Sequence, residues 1–171
     1  MANSAYYTVV QGFKSYLQAG IPASKLVAAF PSYGYKYQCV DSILSDVSSS
    51  KVPSCTLDSN LQQYTCQAQG CLYHFPNSTV QRPSTYSQIG WSVINKLLTQ
   101  STTGRLWDPT SLTPFFNVAQ SGSSPISVWY DDKESLSLKV AAAREMFLRG
   151  VGVWTVDDMP PGYWEILNIN N

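Results

Sequence analysis

Leu148-Arg149-Gly150-Val151-Gly152-Val153-Trp154-Thr155-Val156-Asp157-Asp158 decides how this chain is read. A helical stripe ends at a glycine, an apolar run of strand length follows at once, and a tryptophan stands where that run ends. Short connections from helices into all-apolar strands belong to parallel sheets covered by helices. In closed sheets of that kind ligands gather at the carboxyl ends of the strands. Trp154 therefore has two readings: a core side chain, or a flat apolar plate suited to the C–H face of a sugar ring.

The same grammar opens the chain. Val9, Val10, Phe13, Tyr16 and Leu17 follow helical spacing, with Gly20 as the stop and Pro22 just beyond. Lys25-Leu26-Val27-Ala28-Ala29-Phe30-Pro31 reads as a buried strand, and Ser32-Tyr33-Gly34-Tyr35 lies at its carboxyl end. Nearer the carboxyl terminus, Asp131 or Asp132 caps a helix whose stripe is Leu136, Val140, Ala143 and Phe147, with Gly150 as its stop. Pro160-Pro161-Gly162 breaks the chain before a short last helix from Tyr163 to about Ile169. The order is α–β–(insertion)–α–β–α, the logic of a βαβ unit. Two neighbouring parallel strands are expected, near Leu26–Phe30 and Val151–Val156.

Residues 36–130 differ in character, with Ser, Gln, Pro and Thr dominant. One helix is legible there, its face formed by Ile89, Val93, Ile94, Leu97 and Leu98, with Gly104 beyond its end. Phe115-Phe116-Asn117-Val118 and Ile126-Ser127-Val128-Trp129-Tyr130 read as a hairpin turning through Gln120-Ser121-Gly122-Ser123-Ser124. This is an insertion with its own sheet.

Composition narrows the partners. Charged residues make up 13% of the chain and sum to a formal net charge of +0, with no basic run, which disfavours nucleic acid and anionic membranes. Eleven Tyr, five Trp and six Phe suit carbohydrate recognition, and Tyr-rich surfaces also serve protein interfaces. Cys39, Cys55, Cys66 and Cys71 fall within one polar segment whose only histidine, His74, reads as a loop residue. Without a C-x-x-C pair, two disulfides in an oxidising compartment fit better than zinc, and three pairings stay open. Asn77-Ser78-Thr79 is a glycosylation sequon in the same region. No metal or cofactor is expected. Met1–Tyr7 has neither the basic nor the apolar region of a secretory leader, and the chain reads as part of something larger.

Taken in order, several segments resemble the carboxyl-terminal part of family 18 glycoside hydrolases, the chitinase-like (β/α)8 barrels. Gly20–Val27 through Pro31-Ser32-Tyr33-Gly34-Tyr35 is similar to that family's seventh strand. Val128-Trp129-Tyr130-Asp131-Asp132-Lys133-Glu134-Ser135 is similar to the lead into its seventh helix, and Leu148–Asp157 to its eighth strand with a W-x-x-D ending. Gly104-Arg105-Leu106-Trp107-Asp108, followed by Thr113-Pro114-Phe115-Phe116-Asn117, points to the di-N-acetylchitobiase branch. The resemblance implies an α/β fold: a partial (β/α)8 TIM barrel, its last two strands and their helices, with an insertion containing a small antiparallel sheet. The expected divisions are 1–35 (barrel helix and seventh strand), 36–130 (disulfide-bearing insertion) and 131–171 (seventh helix, eighth strand and last helix).

The resemblance also implies a ligand, N-acetylglucosamine oligosaccharides of the chitin type, and a secreted or lysosomal setting. Trp154 matches the family's sugar-subsite tryptophan. Tyr33 and Tyr35 match a P-x-Y-G-Y ending and either line the cleft or pin the insertion through their hydroxyls. Asp157 reads either as a cleft residue or as holding the last loop, the second being favoured. Ala29 stands where relatives have Gly, and Ser32 replaces a bulky aromatic, removing a stacking surface. The family's catalytic D-x-x-D-x-D-x-E belongs to the fourth strand, and none of the three glutamates fits it. Glu134 has Asp132 two residues before it but Tyr130 four before, Glu145 follows Ala143, and Glu165 follows Tyr163. No catalytic residue is therefore assigned, and the chain is expected to be an inactive part of a hydrolase whose partner is the missing amino-terminal part of the barrel. A non-enzymatic chitin- or oligosaccharide-binding module of the same fold is the alternative. Two bare strand edges and an uncovered apolar face lead us to expect association or loose packing of the isolated chain.

Overall fold

In the computed structural model, residues 9–38, 41–42, 55–56, 66–67, 70–71, 86–109, 111–121 and 123–167 are described, some of the short strands by backbone alone. Their order is α1 (Val9–Gln18), β1 (Val27–Pro31), β2 (Gly34–Gln38), β3 (Asp41–Ser42), β4 (Cys55–Thr56), β5 (Cys66–Gln67), β6 (Gly70–Cys71), β7 (Tyr86–Ile89), α2 (Trp91–Thr99), β8 (Leu106–Asp108), β9 (Thr113–Gln120), β10 (Ser123–Trp129), α3 (Lys133–Glu145) and β11 (Gly150–Trp154), followed by a 3-10 turn at Trp164–Leu167.

β1 and β11 pair in parallel, Val27 opposite Gly150 through Pro31 opposite Trp154. Ala28 and Phe30 point to one side and form a core with Leu136, Val140 and Ala143 of α3, Leu148 and Tyr163. Val9 and Phe13 of α1 pack on the same side, as do Ile166 and Leu167. The pleat sends Val27, Ala29, Gly152 and Trp154 to the opposite side, and there Val27 is 53% and Trp154 67% exposed. Helices thus cover one face of this sheet and leave the other open.

A second sheet has five antiparallel strands in the order β7-β2-β10-β9-β8. Its core is Ile94 of α2 with Phe116, Val118, Ile126, Val128 and Tyr130. The expected hairpin is β9–β10, but the sheet is larger than the sequence indicates, because β2, β7 and β8 join it. The division read at residue 35 therefore falls inside β2. Gly34 is required by contact: a Cβ there would stand 2.6 Å from the Trp129 carbonyl oxygen and 3.0 Å from Ile94. Two short antiparallel pairs, β3–β4 and β5–β6, belong to the cysteine-bearing segment, and the second sets Cys66 opposite Cys71. Cys39, the cysteine side chains and Asn77 lie outside the described residues.

Three local readings change. Ile89 belongs to β7 rather than to α2, and Val93 is 43% exposed, so the buried face of α2 is narrower than the apolar spacing implies. Phe147 is 85% exposed and lies past the end of α3. It, not Gly150, stops the helix: Phe147 takes φ +54°, its N–H bonds to the Arg144 carbonyl and that of Leu148 to the Ala143 carbonyl, the paired bonds of a Schellman end. Gly150 instead begins β11.

Candidate functional site

α3 begins as its sequence requires. Asp132 is the N-cap, its Oδ1 accepting from the Glu134 and Ser135 backbone N–H groups, while Ser135 Oγ accepts from the Asp132 N–H. Asp131 does not cap. Its carboxylate takes Lys139 Nζ at 2.6 Å on both oxygens and the Ser135 hydroxyl at 2.8 Å. The Lys139 and Asp131 side chains are 1% and 7% exposed. From the residue just before the edge strand β8, Arg105 reaches over to Asp132 at 2.7 Å and Glu134 at 2.6 Å and lies 5.0 Å from the Trp107 ring centroid, tying the antiparallel sheet to α3. Asp131, Asp132 and Glu134 are thus all engaged in structural pairs.

Aromatic rings fill the seam between the two cores. Trp91, the first residue of α2, packs against both, with ring centroids 5.9 Å from Tyr130 and 5.5 Å from Tyr163. Burial, with the nearby Asp132 carboxylate second, pushes both phenols up to about 12. A phenol whose folded value lies above its unfolded value of about 10 gives stability that is complete below pH 10 and lost as pH rises toward 12. The folded chain should therefore lose stability between about pH 10 and 12, and Tyr130→Phe with Tyr163→Phe should flatten that fall. Chemical denaturation across this pH range, beside phenolate absorbance, measures it; an unchanged slope in the double variant would show that neither ring matters to it.

The candidate site lies at the carboxyl end of β1 and β11. Trp154 closes β11 on the open face, near Ala29 and Gly152, so nothing larger than a methyl group rises from the positions two residues before the indole and opposite them. With two-thirds of its surface exposed it is not a core side chain of this chain. Ser32 is the residue whose role the sequence hid: its N–H donates to the Trp154 carbonyl at 2.9 Å and its hydroxyl to the Thr155 carbonyl at 2.5 Å. It pins the backbone around Trp154, where the Trp154–Thr155 peptide is cis. Tyr33 and Tyr35 are half-buried and meet edge to face at 5.7 Å, Tyr33 in the turn and Tyr35 within β2. Asp157 is exposed, and its hydrogen bond with Thr155 holds its carboxyl below the usual carboxylate value. It braces its own loop.

Among the described residues no three of His, Cys, Asp and Glu come together as metal ligands would. Also among them, no helix is long and apolar enough to cross a membrane.

A helix-backed parallel strand pair, an antiparallel sheet inserted between those strands and an aromatic plate at their carboxyl edge define an α/β protein with an open, strand-end site. The chain belongs to glycosyl hydrolases family 18, whose family model matches residues 1–158. A probable di-N-acetylchitobiase 1 of Dictyostelium discoideum is 32% identical over 178 residues, covering 98% of this chain and 43% of its own length. Di-N-acetylchitobiase of Homo sapiens is 28% identical over 158 residues, covering 91% of this chain and 35% of its own. The chain thus spans about two-fifths of the length of these relatives. Among solved structures, a family 18 chitinase of Cycas revoluta in complex with (GlcNAc)3 superimposes with a TM-score of 0.58 at 22% identity, over 96% of this chain and 37% of that one. That likeness supports the α/β fold.

Proposed function

We propose that these residues form one wall of an oligosaccharide subsite in a longer chitinase- or chitobiase-like hydrolase, with Trp154 as the plate on which an N-acetylglucosamine ring stacks. The observation that carries this reading is the exposed indole at the carboxyl edge of an uncovered sheet face. An apolar plate costs little to desolvate and gains most when a sugar's C–H face covers it. The two parallel strands are the last two of a (β/α)8 barrel, and the rest of that barrel closes over Val27 and Ala29.

The chemistry of the whole protein is substrate-assisted retention. The sugar's acetamide carbonyl attacks the anomeric carbon, and a carboxylic acid outside these residues protonates the leaving oxygen. This chain's residues hold and orient the sugar. Ser32 fixes the backbone that carries the indole, and Tyr33 and Tyr35 stand beside the cleft. Chitin-type oligosaccharides as the ligand, and an oxidising, secreted or lysosomal setting for the longer protein, belong to the same proposal.

Fluorophore release from a chitobioside tests it. Residues 1–171 alone should give background rates. A protein carrying D-x-x-D-x-D-x-E in frame ahead of them should turn over, and lose turnover when the motif's Glu becomes Gln. Turnover by residues 1–171 alone would contradict the reading.

Two disulfides among Cys39, Cys55, Cys66 and Cys71 accompany it, each expected to contribute about 2–4 kcal/mol. Thiol titration of unreduced, denatured protein should find none; four titratable thiols would remove the staples and the compartment argument together.

A further inference from the structure

Gly90 precedes α2 with φ −74° and ψ 167°, extended backbone open to any residue. Space, not torsion, demands glycine here. A Cβ on Gly90 would lie 2.4 Å from Asp158 Oδ1, 3.0 Å from its Cγ and 3.2 Å from Oδ2. α2 has no side-chain N-cap and no acidic residue in its first turn, so the positive end of the helix faces a carboxylate supplied by a distant loop. The next residue, Trp91, holds the same loop further along through Tyr163. The loop that leaves Trp154 thus meets α2 at two successive residues, Asp158 closely against Gly90 and Tyr163 against Trp91.

We infer that Asp158 is a positioning residue: seated against Gly90, it fixes the loop that follows Trp154, so the helix of the antiparallel sheet sets the orientation of the indole on the parallel sheet. For its consequence in sugar binding this rests on the function proposed above; for the clamp itself it does not. The clamp explains how an insertion far from the strand end governs it. Ser32 holds the Trp154–Thr155 backbone from one side, and Asp158 holds the same loop from the side of α2.

A double-mutant cycle tests the clamp without sugar. In Gly90→Ala the new methyl group displaces the carboxylate, and amide hydrogen exchange across residues 155–159 should quicken about tenfold. Asp158→Ala should quicken the same amides, and Gly90→Ala added to Asp158→Ala should add less than about twofold, because the methyl group then meets nothing. Additive effects, or Gly90→Ala with unchanged exchange, would overturn the inference. The double variant also separates the clash from simple misfolding, since it must fold at least as well as Gly90→Ala alone.

The second arm uses the longer, catalytically complete protein. Asp158→Ala should raise KM for N-acetylglucosamine oligomers about fivefold and leave kcat within about twofold, and Asp158→Asn, which keeps the shape, should recover part of the loss. A fall in kcat with KM unchanged would overturn the positioning role. Trp154→Ala separates the two readings. If it leaves binding untouched while the exchange cycle behaves as stated, the sugar-plate reading fails and the clamp stands. If it weakens binding while the cycle is additive, the clamp fails and the plate stands.

Discussion

Lys139→Ala should cost the fold about 3–5 kcal/mol, the penalty of leaving a buried carboxylate without its cation. Lys139 and Asp131 are both almost fully enclosed, and the ammonium meets both carboxylate oxygens at 2.6 Å. Removing the lysine strands Asp131 in a nearly enclosed place, with the Ser135 hydroxyl still donating. Asp131 leads directly into α3, so its displacement loosens the capping box at Asp132 and the seat of Phe30 on Val140. Lys139→Met with Asp131→Leu removes both charges and should recover most of the loss, because Ser135 Oγ retains the Asp132 carbonyl as an acceptor at 3.3 Å. Urea denaturation of the three proteins measures this. A loss under about 1 kcal/mol for Lys139→Ala would show that the pair is solvated and structurally idle.

The second large effect is on binding. Trp154→Ala in the complete protein should weaken binding of N-acetylglucosamine oligomers by about 1–3 kcal/mol, roughly 5–150-fold in affinity. Trp107→Ala and Trp91→Ala provide the contrast. Trp107 stacks on Arg105 at the far edge of the antiparallel sheet, and Trp91 is wedged between Tyr130 and Tyr163. The first should lower affinity little; the second should act through stability. Titration calorimetry of the three variants decides, and equal losses in all three would return Trp154 to a general structural role.

Much of the fold was legible where pattern and length agree. The apolar run Gly150–Val153, the helical spacing of Val9–Leu17 and the stripe Leu136, Val140, Ala143 are each specified by neighbours in sequence. The β9–β10 hairpin announced itself by two apolar runs around a Gly/Ser turn. What stayed hidden depends on partners far along the chain. β2 and β7 pair Tyr35 with Gln88 and Lys36 with Ser87, mixed residues with no strand signature of their own. β8 is three residues long, too short for any period to show. Phe147 defeats a rule that expects glycine in the left-handed position, and Gly150, five residues beyond the last helical one, is the glycine that rule selects instead.

The site divides in the same way. Trp154 was visible because its type and its place at a strand end coincide. Lys139 was not, since a lysine among apolar helix positions reads as a solvated interruption until Asp131 is placed beneath it. Ser32 read as a lost aromatic, and only the backbone of the paired strand shows it holding the Trp154–Thr155 peptide. Asp158 gave no signal at all; its counterpart is a glycine that has no side chain to suggest a contact.

The most direct test of the central claim follows the indole itself. Indole N–H resonances of the complete protein, assigned by single Trp substitutions, are followed in two-dimensional NMR as a tri-N-acetylglucosamine oligomer is added. The Trp154 signal should move saturably, while those of Trp107 and Trp129 stay in place. Saturable movement of the other indoles with Trp154 unmoved would contradict it.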